Sequence, residues 1–308
     1  MTKLLHSRRL WAALLLTAVA ATLPLWLSGY ILGILTIAYY FGVFSMSWDL
    51  LFGFAGEVNF GPTFLIGLGA YTAAIVDARW GLPIPLCIVA GGLVALVGGL
   101  LLAVPALRLR GPYFGLVTLV AVLLLQNAIV IFAGVTGGEI GMMVPDVMSV
   151  SAARNYWYAL AFLVVCAIML FGLSRSAIGL ILQASGQDAI GAEALGFNVT
   201  KHKLAAFCIS AVFSGVAGAM LVFYQGTASV STVVDLGVGV QIIIAAVLGG
   251  RRTILGAVLG SVFLIVAGEF LRPLGQINTF VVAAVALAVI LFFPDGLLGN
   301  LLRVKEQE

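Results

Sequence analysis

Runs of roughly 20 mostly apolar residues, the length that crosses a ~30 Å hydrocarbon core as a helix, recur from end to end of this chain. They predict helices at 10–28, 30–48, 62–78, 83–104, 112–133, 155–173, 203–226, 237–250, 253–271 and 277–293. The fold class read from this pattern is all-α, a polytopic transmembrane helical bundle of about 8–10 spans with re-entrant or broken helices allowed. The segment 237–250 is the weak member. Its 14 or so residues reach only about 21 Å at 1.5 Å per residue, so a half-helix or re-entrant pair is an alternative there. Residues 1–9 are short and basic and precede an apolar run, a layout shared with signal peptides. A second apolar run follows at once, which favours an uncleaved first span.

Three polar breaks interrupt the pattern. The stretch 174–203 is the longest that carries several positive charges, and it contains a helix signal of its own. Ser185 stands at an N-cap position, with Asp188 three residues later where a capping-box acid belongs. Ala189, Ile190, Ala194 and Leu195 give a small apolar face, and Gly196 is a C′ stop. Such a short capped helix between two spans reads either as a docking element or as an ordinary surface helix of a cytoplasmic loop. The second break, 48–61, carries Gly53, Gly56 and Gly61 together with Asp49, Glu57 and Asn59. It is either a solvated hairpin or irregular backbone at membrane depth, and the latter survives only when buried in protein or lining a watery cavity. The third, 134–155, holds Glu139, Pro145 and Asp146 and suits a folded loop facing a partner or covering a vestibule.

Composition removes whole classes of function. The chain is 63% hydrophobic and only 9% charged, against about 25% charged in soluble domains. The net charge of +3 gives no nucleic-acid footprint. Cys87, Cys166 and Cys208 all lie in apolar runs, an odd set that argues against a disulfide framework. With His6 and His202 the only histidines, no histidine-based metal site can be assembled. None of Lys3, Lys201, Lys203 and Lys305 follows a glycine, so a Walker A loop is absent and any nucleotide is bound by another chain. The 37 glycines in 308 residues are about 12% against a usual ~7%, and pairs such as Gly256 and Gly260, or Gly215 and Gly218, read first as helix-packing positions.

Charge placement sets the orientation. With ten crossings starting inside, Lys3, Arg8, Arg9, Arg108, Arg110, Arg175, Lys201, Lys203, Arg251, Arg252, Arg303 and Lys305 fall inside, while only Arg79, Arg154 and Arg272 fall outside. The positive-inside bias therefore predicts both termini in the cytoplasm. The candidate pathway residues are Glu57, Asn59, Tyr71, Thr118, Gln126, Asn127 and Gln241, polar groups in or beside apolar segments. Interhelical hydrogen bonding is the competing use of each. Adjacent helical residues point about 100° apart, so only one of Gln126 and Asn127 is expected to face a pathway. Arg251 and Arg252 read as orientation anchors before anything else.

The sequence also resembles a known family. GEVNFG at 56–61 continuing to GLGAYTA at 67–73 is similar to the opening signature of LivM-type permeases. LRLRGPYF at 107–114 with Thr118 and Leu119, AEALGFNVT at 192–200 followed by KLAAF at 203–207 and SGVAGA at 214–219, VLGG at 247–250 with LGAVLG at 255–260, and FPDGLLG at 293–299 match further family motifs in order. No single match is specific, but five in sequence cover nearly the whole chain.

The resemblance implies a membrane subunit of a branched-chain amino acid ABC importer in a bacterial or archaeal plasma (inner) membrane. It implies as partners a homologous second permease, two cytoplasmic ATPase subunits and an extracytoplasmic substrate-binding protein, all set in the lipid bilayer. No cofactor is expected in this chain, and ATP and Mg²⁺ would be bound by the ATPases. The whole chain, 1–308, would be one transmembrane permease domain, with 174–203 a cytoplasmic loop. Within it Ser185, Asp188, Ala189, Ile190, Ala192, Glu193, Ala194, Leu195 and Gly196 become the coupling helix. Two departures stand out: Ile190-Gly191-Ala192 occupies the place of the usual Glu-Ala-Ala triplet, and Pro62 stands where relatives often carry His or Gln. The competing functions are a stand-alone secondary amino acid transporter and the same ABC architecture importing urea or short amides. Apart from Glu57 and Glu269 there is no intramembrane acid array for proton coupling, and no nucleophile–base constellation for an enzyme.

Overall fold

The structure, a computed structural model, describes residues 15–109, 111–274 and Ala284. Helices follow the apolar runs: α1 Leu15–Leu25, α2 Gly29–Asp49, α3 Pro62–Trp80, α4 Ile84–Ala106, α5 Pro112–Ile131, α6 Ala133–Thr136 and α7 Ala152–Arg175. Then come α8 Ala177–Gln187, α9 Ala189–Ala194, α10 Val199–Gln225, α11 Val230–Val233, α12 Leu236–Gly249 and α13 Ile254–Leu271. Two-residue strands β1 Met142–Met143 and β2 Thr227–Ala228 pair antiparallel. Among the described residues, seven helical segments are long and apolar enough to cross a membrane. The chain is thus an all-α polytopic bundle. Proline opens α3 and α5 at their first helical positions, where the missing N–H costs nothing.

Eight of the ten predicted spans coincide with α2, α3, α4, α5, α7, α10, α12 and α13. The first overlaps α1, which ends in a tight turn at Leu23–Leu25 beside Pro24. The last, 277–293, lies outside the described residues apart from Ala284, and the C-terminal motif at 293–299 and both termini lie outside them too. The weak member, 237–250, forms α12, and the chain reaches it from Gly226 through β2 and the one-turn α11.

Small residues fasten the bundle, as the glycine content suggested. Gly69 of α3 meets the Gly215 backbone of α10, Gly91 of α4 meets the Gly69 carbonyl, and Gly99 of α4 meets Ala211. On the other side Gly249 and Gly256 bring α12 and α13 into backbone contact, and Gly260 abuts Ala245. Ser261 Oγ donates to the Phe41 carbonyl at 3.2 Å and to Ser45 Oγ at 2.9 Å, fixing α13 to α2. Tyr39 and Tyr156 share a 2.7 Å hydroxyl contact that joins α2 to α7, and Tyr156 also reaches the Ala20 carbonyl of α1 at 2.7 Å.

The two ends of the bundle differ in charge. Lys203, Arg252 and the 176–198 segment gather at one, the basic end, where Lys203 meets Glu57, Arg252 meets Gly53, and Gly186 meets Gly56. The far end holds the β1–β2 pair, the Asp146 N–H on Asp77 at 3.2 Å, and Tyr30 donating to Glu269, which also binds Arg272.

Candidate functional site

At the basic end α7 stops at Arg175, and Ser176 restarts the helix with extended backbone and its hydroxyl accepting from Gly179 N–H. The resulting α8 runs eleven residues, through Ser185. This corrects the expected cap. Ser185 is buried inside α8 and its Oγ donates to the Leu182 carbonyl at 2.9 Å, whereas an N-cap needs non-helical backbone. Asp188 has that backbone, φ −145° and ψ 95°, and its carboxylate accepts from Gly191 N–H at 2.9 Å. Asp188 is therefore the cap itself, and the helix it starts is the six-residue α9.

Gly196 takes the stop position at φ +89°, a value glycine adopts without Cβ strain. Around it, the Gly196 N–H donates to the Glu193 carbonyl at 2.9 Å and the Phe197 N–H to that of Ala192 at 3.1 Å, a Schellman closure. Ala192 is buried, Ala189 half-buried, and Glu193 and Ala194 exposed, while Ile190 and Leu195 are 74% and 78% exposed. A rigid knob capped at both ends thus presents apolar side chains that this chain does not cover. Replacing Asp188 with Ala should cost about 1 kcal/mol of α9 stability, seen as faster amide exchange across 189–194. Ser185→Ala should leave that exchange unchanged, which separates the two residues as caps.

The knob is bolted to a joint in the bundle. After Asp49 the helix widens into a π turn, Leu50–Phe54, a form that often marks functional sites. Gly56, at φ +74°, lies so close to Gly186 that a Cβ on either would press on the other's backbone. Next to it Glu57 Oε1 and Lys203 Nζ pair at 2.6 Å, both about 15% exposed (16% and 14%), tying the loop to α10. Trp48 Nε1 donates to the Asn59 carbonyl at 2.6 Å, and Asn59 Oδ1 accepts from Gly61 N–H at 2.8 Å. Phe60 N–H donates to Thr118 Oγ1 at 3.0 Å, and Thr118 in turn donates to the Gly115 carbonyl at 2.7 Å. Glu57, Asn59 and Thr118 are thus brought together, with every one of these groups engaged in holding the 56–61 loop between α8, α10 and α5.

The other side of the joint is charged. Asp49, 1% exposed, accepts from the Arg252 N–H at 3.2 Å, and Arg252 Nε donates to the Gly53 carbonyl at 2.9 Å. Arg252 sits at φ +62°, and Arg251 lies 4.3 Å over the Phe52 ring. The arginine pair is more than an orientation anchor: it clamps the α12–α13 turn onto the π turn. Asp49, Arg252 and Lys203 lie outside the pathway set read from the sequence, though Asp49 belongs to the polar break at 48–61. The signal was the buried acid at the end of an apolar run, which needs donors from the few basic residues on its side.

The remaining candidates are scattered. Tyr71 is 4% exposed and its hydroxyl has no hydrogen-bond partner. Gln126 Nε2 donates to the Val234 carbonyl at 3.1 Å, whereas Asn127 is exposed and folds back on the Leu123 carbonyl at 2.8 Å. The pair splits as adjacency requires, Gln126 inward and Asn127 outward. Gln241 is half-buried on α12. Among the described residues no cluster of three metal-binding side chains exists.

Residues 30–294 match the family model described as the branched-chain amino acid transport system permease component. The chain is 28% identical to the high-affinity branched-chain amino acid transport system permease protein LivM of Salmonella typhimurium, over 92% of this chain and 73% of that protein. It is 27% identical to LivM of Escherichia coli, over 93% and 73% respectively. It is also 27% identical to the permease protein BraD of Pseudomonas aeruginosa, over 86% of this chain and 94% of that one. No solved structure matches. With the model spanning most of the chain, this protein belongs to the branched-chain amino acid transport system permease family.

Proposed function

We propose that this chain is one of two membrane subunits of an ATP-driven importer, pairing with a homologous permease to enclose the path for branched-chain amino acids. The single observation that carries this reading is the exposed, doubly capped α9 knob fastened through Gly186 and Gly56 to the π turn of α2. A knob of that kind moves as a rigid body and passes force to the helix it touches. In this reading the basic end is cytoplasmic, as the positive-inside bias favours, with both termini there, and α9 enters a groove on an ATPase. The ATPases bind ATP and Mg²⁺, a binding protein delivers the solute at the far end, and this chain performs no catalysis. The substrate follows the names of the relatives.

A proton-coupled carrier is the poorer reading. Glu57 is paired with Lys203, and Glu269 is held by Tyr30 and Arg272, so neither of the two acids read from the sequence for proton coupling is without a partner. The test is reconstitution of the chain with its sister permease, ATPases and binding protein in sealed vesicles. Leucine uptake should require ATP on the ATPase side and loaded binding protein on the other. Uptake by this chain alone, driven by an ion gradient, would overturn the assignment.

A further inference from the structure

We propose that the break between α11 and α12 is a subsite for the charged head of a zwitterionic amino acid, with the Asp235 carboxylate facing its ammonium group. This rests on the transport reading above and says where within the path the solute pauses. The depth comes first. Gln126 lies fourteen residues beyond Pro112, about 21 Å along a helix roughly 30 Å long, and its amide donates to the Val234 carbonyl. The 14 residues of α12 independently span about 21 Å back to the turn clamped by Asp49. Both measures put Asp235 inside the hydrocarbon layer, about two-thirds of the way across from the basic end.

An acid at that depth is costly unless it has a counter-charge or a watery path. Asp235 caps α12, its Oδ1 accepting from Gly237 N–H at 2.7 Å, and among the described residues no cation pairs with it. It is only partly buried, and Gly237 and Val240 beyond it are exposed, with Gln241 half-buried, so one side of α12 beginning at Asp235 is open.

A buried hydroxyl stands beside the same helix start. Thr63, 0% exposed, has an unpartnered Oγ1 beside the first turn of α12, where a Cβ on Gly239 would stand 3.6 Å from it. Gly67, four residues further along the same face of α3, meets Val234. Buried hydroxyls ordinarily have partners, so the unpaired Thr63 hydroxyl beside a helix break calls for a partner that this chain does not supply.

The chemistry selects that molecule. The first turn of α12 offers N–H groups with no intrahelical acceptor and the positive end of the helix dipole, which suit a carboxylate. Asp235 suits an ammonium. A lone anion meets the Asp235 charge and a lone cation meets the helix start, whereas an α-amino acid carries both charges one carbon apart.

The experiment uses the full reconstituted transporter. Asp235→Asn keeps the capping geometry, since asparagine caps as well as aspartate. It should nevertheless lower amino acid uptake at least about tenfold, a loss of ~1.4 kcal/mol, while complex assembly and stimulation of ATP hydrolysis by loaded binding protein persist. Asp235→Glu, which keeps the charge, should restore much of the uptake. Wild-type uptake in Asp235→Asn, or equal loss in both variants, overturns the proposal and leaves Asp235 as a cap alone. Should Asp235→Asn fail to assemble, Val240→Cys with Asp235 intact decides. A cationic thiol reagent should label it several-fold faster than an anionic one, and amino acid should protect it; equal rates without protection overturn the subsite. A wild-type complex that moves no amino acid under ATP would instead refute the transport reading itself.

Discussion

Aspartate at both Ile190 and Leu195 should abolish ATP-driven uptake while leaving the permease folded and inserted. Both side chains are largely exposed, 74% and 78%, so the chain loses no core contact when they change. The knob's geometry is held by Asp188 below and Gly196 above, neither of which is touched. In the proposed assembly these two side chains fill an ATPase groove, and losing a well-buried interface anchor costs ~2 kcal/mol or more. Two such losses with charge put into an apolar pocket should weaken ATPase binding by about a hundredfold or more. Co-purification of the ATPases reads the binding and vesicle uptake reads the consequence. Retained association would remove α9 from the docking role.

Gly186→Val acts one step further in and should separate hydrolysis from transport. A Cβ at this position would lie 2.6 Å from the Phe54 carbonyl oxygen and 3.0 Å from the Ala55 carbonyl carbon, both backbone atoms that cannot swing aside. Overpacking of this kind costs typically 1–3 kcal/mol, and here it would lift α8 from the π turn. ATPases should still bind, because α9 is unchanged, and should still hydrolyse ATP. Uptake should fall more than about tenfold, the change worth ~1.4 kcal/mol of lost coupling. Gly172→Ala on α7, whose Cβ meets nothing within 4 Å, serves as the control and should transport normally. Unchanged uptake in Gly186→Val would mean that force reaches the spans by another route.

The helices were legible because apolar length and glycine or proline punctuation leave little freedom in where a span begins. Pro62 and Pro112 open α3 and α5 at the positions read from the sequence. The capping of the knob was misread because Ser185 and Asp188 each satisfy a local rule. What decided between them was Ser176, which restarts the helix and fixes the phase of everything up to Gln187. The π turn at Leu50–Phe54 falls within the break read at 48–61, but its form was not legible, its residues being apolar and continuous with α2. The descent from Gly226 to Asp235 was hidden for a different reason. It was read only as the gap between spans 203–226 and 237–250, and the contact of Val234 with Gln126 is what shows how deep it runs. Arg252 shows the limit of charge counting, since its place at the basic end was readable but its hold on Gly53 was not.

Where α3, α4 and α10 meet, main chains touch through Gly69, Gly91 and Gly215 with no flexible side chain between them to yield. Three rods joined without a cushion cannot slide past one another by small amounts, so they respond to load as a single slab. Any opening of the permease must then be accommodated at the slab's tethers, the loop at 56–61 and the dip at 226–235, and each of these abuts a place where the bundle already departs from regular helix.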